Sequence, residues 1–226
     1  MKRTVACMVA VSVAGCLVSQ AGFEKKGDED VLQITLPKPL FVGTPKTIKT
    51  KNLEPPRGDK KRPDFYVPKG TVNLAAKKAV TASDKEPVIG ELSYATDGDK
   101  EGGDGSYVEL GPGLQYVQID LGAPATIYAI SVWHYHSQAR VYRDVVVQIA
   151  DDPDFITNVQ TVYNNDDDNS SGLGIGKDYE YIETNEGRLI DAKGVKGRYV
   201  RLYSNGSTSS EMNHYIEVEV YGTPAK

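Results

Sequence analysis

The chain has 226 residues, of which 39% are hydrophobic and 25% charged, and it carries a formal net charge of −5. That length allows one domain with appendages or two small domains. The composition excludes a multi-span membrane protein, a coiled coil, a collagen and a fully disordered chain.

Met1, Lys2 and Arg3 form a basic start, and residues 4–15 form a short apolar run. A membrane-spanning helix takes about 20 apolar residues, so this run is too short to be one. Residues 1–21 read instead as a secretory signal peptide. Two cleavage readings stand. Ser19, Gln20 and Ala21 suit an ordinary signal peptidase. Val13-Ala14-Gly15-Cys16 resembles the bacterial lipobox, in which Cys16 carries the lipid and becomes the first residue of the mature chain. The lipobox is preferred, and it places the protein on a lipid anchor at the cell envelope. Ordinary cleavage makes it periplasmic or secreted. Both cysteines, Cys7 and Cys16, lie in this leader, so residues 22–226 can form no disulfide, thiol zinc site or redox pair.

Residues 22–70 hold seven of the 12 prolines, with 11 basic and 7 acidic residues. Residues 71–226 hold 13 basic and 24 acidic ones, so the two parts carry opposite charge. A proline-rich charged segment favours extended backbone. It reads either as a free tether or as a strap on the domain, packed through residues 32–36 and 65–68. Lys60, Lys61 and Arg62 read as a solvated basic cluster. The acidic body argues against nucleic acid as a partner, because phosphate binding needs positive charge.

From residue 71 onward the pattern is all-β. Strand signals run over 117–121, 126–136, 145–149, 159–163, 179–184, 198–203 and 215–221, separated by Gly, Asp-Gly and Asn-Gly turns. In the last of these, Ile216, Val218 and Val220 read as inward and Glu217 and Glu219 as outward. The spacing predicts a β-sandwich.

Several stretches carry a family resemblance. They are Asn73-Leu74-Ala75, Ala95-Thr96-Asp97-Gly98-Asp99, Gln118-Ile119-Asp120-Leu121-Gly122, Gly197-Arg198-Tyr199-Val200-Arg201 and Glu217-Val218-Glu219-Val220-Tyr221-Gly222. In this order the chain resembles discoidin, or coagulation-factor type C, domains over roughly residues 71–222. These are galactose-binding-like jelly rolls that include family 32-type carbohydrate-binding modules. The resemblance implies an all-β jelly-roll sandwich with an extended N-terminal arm, and binding of sugars, lipid headgroups or proteins through loops at one end. It also implies a structural calcium held by Asp97, Asp99 and Glu217. The family's hydroxyl ligand has no clean match, and Asp104 or Ser106 in the insertion after Asp99 stands in for it. Calcium takes six to eight oxygens.

Ligand contacts are expected from Trp133-His134-Tyr135-His136 and the loop behind it. His134 and His136 would share a strand face, with Arg140 and Tyr142 following. Guanidinium forks and rings suit sugar hydroxyls and sugar faces. The same histidines read alternatively as satisfied sheet-edge residues, or as a transition-metal pair with His214 as the remaining histidine. The acidic run 164–171 fails the EF-hand pattern, with Ile175 where the bidentate Glu belongs. It reads as a long loop, and Asn164 and Asp166 are its candidate ligand contacts. His214 precedes the last strand and is grouped with them.

No nucleophile elbow, zincin helix or phosphate loop is present in the sequence. Three functions follow. The first is an exported, non-catalytic carbohydrate-binding module with structural calcium. The second is an envelope structural or adhesion protein that binds another protein. The third is a metal-dependent enzyme using His134, His136 and His214.

Overall fold

The computed structural model describes residues 21–41, 48–58, 60–103 and 105–225. The leader with Cys16, and also Asp104, lie outside the described residues. Among these are eleven strands: β1 (Glu29–Val31), β2 (Tyr66–Pro68), β3 (Val72–Asn73), β4 (Val80–Ala82), β5 (Val108–Leu110), β6 (Gln115–Trp133), β7 (Val146–Ala150), β8 (Gln160–Asn164), β9 (Arg188–Ser204), β10 (Asn213–Tyr215) and β11 (Glu217–Pro224). The seven-stranded main sheet runs β3–β11–β6–β9–β7–β8, with β4 also on β6. The facing layer is the β5–β10 pair, extended by a bridge from Ile89 to Glu109. The chain is a jelly-roll β-sandwich. Among the described residues no helix is long and apolar enough to cross a membrane.

The sheet is built on β6, and its pattern shows how. Val117, Ile119 and Ile127 point into the core between the sheets, as do Ile130 and Val132. The inward set passes from odd to even positions because Tyr128 is extra against β11, where Ile127 faces Gly222 and Ala129 faces Tyr221. One extra residue flips every later side chain to the other face. Ala129 therefore joins the outer face, in a second apolar cluster with Phe65, Val67 and Tyr221. Full burial of each large core side chain contributes about 1.5–3 kcal/mol.

That outer face is covered by the N-terminal arm, whose described residues lie as a strap. β1 pairs antiparallel with β2. Phe23 meets Phe65 edge to face at 5.1 Å, and Leu32 and Ile34 pack on the same cluster. Farther along, Leu53 bridges Glu180 in parallel. The carbonyl of Thr35 accepts from Lys100 Nζ at 3.0 Å, and that of Pro37 accepts from Asn185 Nδ2 at 2.9 Å.

Four expectations about strands are corrected. The 117–121 and 126–136 signals form one bent strand, because the ladder with β9 continues through the irregularity between Asp120 and Ala125. Among the described residues, 179–184 form no ladder of the sandwich; Glu180 bridges the strap at Leu53, hydrogen-bonded to Asn52 and Glu54. The 215–221 signal splits at Ile216, with β10 in one layer and β11 in the other. Glu217 and Glu219 are buried rather than outward, because the Asp97–Lys100 loop and the strap lie over that face of β11.

Candidate functional site

β6 ends at Trp133, and the loop that follows gathers the expected ligand residues at one end of the sandwich. His134 and His136 lie past the strand and do not act as a pair. His134 is fully buried, with Nδ1 2.6 Å from Glu183 Oε1 and its ring stacked on Tyr142 at 4.4 Å. His136 is buried and turned onto the Lys100 carbonyl at 2.8 Å. Both are interior side chains, as are Arg140 and His214. Tyr142 is also interior, and burial keeps its phenol protonated.

His214 comes to the same cluster. It stands opposite Glu109 in the β5–β10 ladder, with Nε2 2.9 Å from Glu109 Oε2, while Nδ1 lies 2.9 Å from the Tyr142 hydroxyl. Burial, helped by the charge of Arg140 and by His134, pulls its pKa down to about 4. The neutral ring therefore donates from Nε2 to Glu109 and accepts from the Tyr142 hydroxyl at Nδ1. Burial pushes the Glu109 carboxyl upward, and Arg140 opposes it.

The outer rim of this cluster is wetter. Tyr107, Glu109 and Tyr135 are half-buried and Gln138 is exposed. The Arg140 guanidinium lies 4.6 Å from the Tyr135 ring centre and donates to Gln138 Oε1 at 3.2 Å. Tyr135 and Tyr107 meet at 5.1 Å, and each ring is 5.7 Å from His214. Sequence reasoning named Arg140 and His214, and Tyr135 within the 133–136 stretch, but missed Glu109, Tyr107 and Glu183. Glu109 was findable as an acid inside an alternating strand. Nothing in the sequence pointed to Glu183.

A second locus lies where the short 3-10 turn Leu92–Thr96 runs into the Asp97-Gly98 bend, at the start of β11. Glu217 is fully buried, and one of its oxygens accepts from the Gly98 N–H at 3.1 Å. The other, Oε1, has no hydrogen-bond partner among the described residues. Burial pushes the Glu217 carboxyl up to about 8, and Glu219 and Asp97 push the same way. Asp97 and Asp99 are exposed, and each spends one oxygen on the N–H two residues ahead, at 2.8 and 2.9 Å. Ser106 is half-buried on the far side of the insertion. An orphan carboxylate oxygen is a donor that a hard cation could use. The expected ligands Glu217, Asp97 and Asp99, with Ser106, are not gathered into one cluster; among the described residues, three carboxylate oxygens within 4.8 Å of one another occur only at Asp144, Asp166 and Asp168.

The acidic loop is a third locus. Asp144, Asp166 and Asp168 each bring a carboxylate oxygen within 4.8 Å of the others, an arrangement that can coordinate a metal ion. Asp166 already accepts from the Ser171 N–H at 2.9 Å and the Ser170 N–H at 3.1 Å. Burial works to raise its pKa, yet these bonds and the Ser171 hydroxyl hold it low. Asn164 is buried and donates to the Gly174 carbonyl at 2.8 Å. Both side chains therefore organise the loop.

No family model matches the sequence, and no curated protein matches it. Solved structures do match. A family 32 carbohydrate-binding module of AlyQ, in complex with 4,5-unsaturated mannuronic acid, is 19% identical, with 63% of this chain and 92% of that one covered and a TM-score of 0.47. Truncated AlyQ, with its family 32 module and alginate lyase domains, is 18% identical over 69% of this chain and 34% of that one, with a TM-score of 0.50. The family 89 glycoside hydrolase of Clostridium perfringens, in complex with GlcNAc-alpha-1,4-galactose, is 17% identical over 68% of this chain and 15% of that one, with a TM-score of 0.51. At these identities the likeness is one of fold alone, the jelly-roll β-sandwich.

Proposed function

We propose that this is an exported, non-catalytic carbohydrate-binding module. The observation that carries the reading is the rim at the loop end of the sandwich. There Arg140 lies over Tyr135, with Tyr107, Glu109 and His214 packed behind. Rings give a sugar its stacking face, and the guanidinium and carboxylate give its hydroxyls donors and an acceptor. His134, Glu183 and Tyr142 support that rim from beneath. A structural calcium at Glu217, Asp97 and Asp99 would tie the Asp-Gly loop to β11. Export and a lipid anchor at Cys16 rest on the leader sequence alone. The fold shared with AlyQ and the family 89 hydrolase supports the module reading, since the first carries a family 32 carbohydrate-binding module beside alginate lyase domains and the second is bound to GlcNAc-alpha-1,4-galactose.

The test is a glycan and polysaccharide array with the folded protein, followed by titration of the best ligand against two variants. Tyr135→Ala and Arg140→Ala are each expected to weaken binding tenfold or more. Unchanged affinity in both would sink the site, and no binding by a folded protein would sink the function.

A further inference from the structure

The strap and the sandwich enclose a cleft of about 620 Å³ at the start of β9, roofed by residues 53–58, 60, 62 and 63. Its lining shares none of the rim residues Tyr107, Glu109, Tyr135, Arg140 and His214. Its cations are Arg57, Lys60, Arg62 and Arg188, with Lys193 at the edge. Arg57 and Arg62 share one carboxylate, that of Glu186, and Arg62 also donates to the Glu186 carbonyl and, at 2.8 Å, to the Gly187 carbonyl. Arg188 pairs with Glu54 at 2.7 Å. Three guanidiniums thus face two carboxylates, and Lys60 is exposed beside them.

Two further acids line the cleft but are turned to backbone. Asp178 accepts from the Asn164 N–H at 2.7 Å, and Asp191 from the Gly22 and Lys193 N–H groups at 3.0 and 2.9 Å. Arg188 lies 4.9 Å from the Tyr181 ring centre and 5.2 Å from that of Tyr163, and its buried Nε has no partner among the described residues. Burial pulls the Arg62 guanidinium below its ordinary value; Glu186 opposes this, and Arg57 and Arg188 add to it. The other walls mix apolar side chains, Phe41, Leu53, Pro55, Pro56 and Val162, with the polar Thr184 and Asn185. Against an acidic body, the basic strap makes this a place where an anion meets positive charge.

We propose that this cleft is a second binding site, specific for a carboxylated saccharide such as a uronic-acid oligomer. Planar guanidiniums match carboxylates in two-point geometry. The apolar wall suits the C–H faces of the sugar rings, which an inorganic anion lacks, and the volume lies within the usual range for ligand pockets. The proposal does not depend on the rim reading.

The test is calorimetric titration of the full chain with a galacturonic-acid hexamer, a neutral galactose oligomer of equal length, a sulfated oligosaccharide and inorganic phosphate. The hexamer is expected to bind, at least tenfold more tightly than the neutral oligomer, and to weaken severalfold in high salt. Arg57→Gln combined with Lys60→Gln should weaken it tenfold or more. Arg57→Lys combined with Lys60→Arg, which keeps both charges and still leaves one guanidinium fork at the pair, should keep it within about threefold, which separates charge from damage to the strap. Tyr135→Ala should leave it unchanged. Absence of hexamer binding, or full affinity in the double glutamine variant, would overturn the proposal. Loss through Tyr135→Ala would move the ligand to the rim and overturn it as well. Equal affinity for the sulfated oligosaccharide or for phosphate would overturn the carboxylate assignment.

Discussion

Glu109 and His214 stand directly opposite each other across the β5–β10 ladder, joined at 2.9 Å, and the far side of the imidazole takes the hydroxyl of Tyr142. The imidazole is neutral by construction. Its pKa of about 4 lies below the ordinary 6.5, so above pH 6.5 neither the folded nor the unfolded chain protonates it. As pH falls from 6.5 toward 4, the unfolded chain takes up a proton that the folded chain refuses. Stability drops across that window by about 3 kcal/mol in total. Glu109, with its raised carboxyl, contributes in the opposite direction, losing stability as pH rises. Denaturant midpoints measured from pH 7 to pH 4 should fall steeply for the natural chain and less steeply for His214→Gln. Parallel slopes would contradict the assignment.

At Gly187 the backbone has φ +59, and an added Cβ would lie 2.7 Å from both the Trp133 ring and the Val132 carbonyl. Neither can retreat, since Trp133 and Val132 are fully buried. Gly187→Ala is expected to cost about 2–4 kcal/mol through strain and overpacking. An unfolding curve within 0.5 kcal/mol, roughly the range of neutral surface changes, would count against this packing.

The orphan oxygen of Glu217 sets up a chelation experiment. Without a cation the carboxyl holds its proton to about pH 8, whereas the unfolded chain loses it near 4.5. Stability of the cation-free fold therefore declines as pH rises from 4.5 toward 8. Added calcium is expected to raise the melting temperature most near pH 8 and little near pH 5, and a chelator should reverse it. Glu217→Gln should abolish the calcium response. A response that survives in that variant would place the ion elsewhere, with Asp144, Asp166 and Asp168 as the alternative.

Asn213 pins three segments with one amide. Its Nδ2 donates to the carbonyls of Gly111 and Gly113 at 2.9 Å each, and its Oδ1 accepts from Ser204 Oγ and the Gly206 N–H at 2.8 Å each. The side chain is fully buried. Asn213→Ala leaves these groups unpaired and is expected to cost about 2–4 kcal/mol. Asn213→Asp, which cannot donate to two carbonyls, should cost as much at neutral pH. Equilibrium denaturation of both variants is the measurement.

The strands were legible because their apolar residues alternate, and the sandwich followed from their spacing. What alternation could not show is where a face is covered by something distant in sequence. Glu217 and Glu219 sit in a clean alternating run and read as outward, yet both are buried beneath the Asp97–Lys100 loop and the strap. His134 and His136 read as neighbours on one strand face, but the strand stops one residue earlier and the rings diverge, one to Glu183 and one to the Lys100 carbonyl. Arg140 and His214 were legible as chemistry. Their partner Glu109 became visible only once β5 and β10 were paired.

Trp133 is the only tryptophan in the chain and is completely shielded. Its indole N–H donates to the Asn185 carbonyl at 3.0 Å, the Lys100 ammonium lies 4.9 Å from the ring, and the strap's Pro37 and Thr35 carbonyls hold those same two residues. The molecule thus carries its own optical gauge of whether the strap is seated. Lifting the strap would admit water to the indole and shift its fluorescence to the red, while the sandwich beneath kept its far-ultraviolet signature.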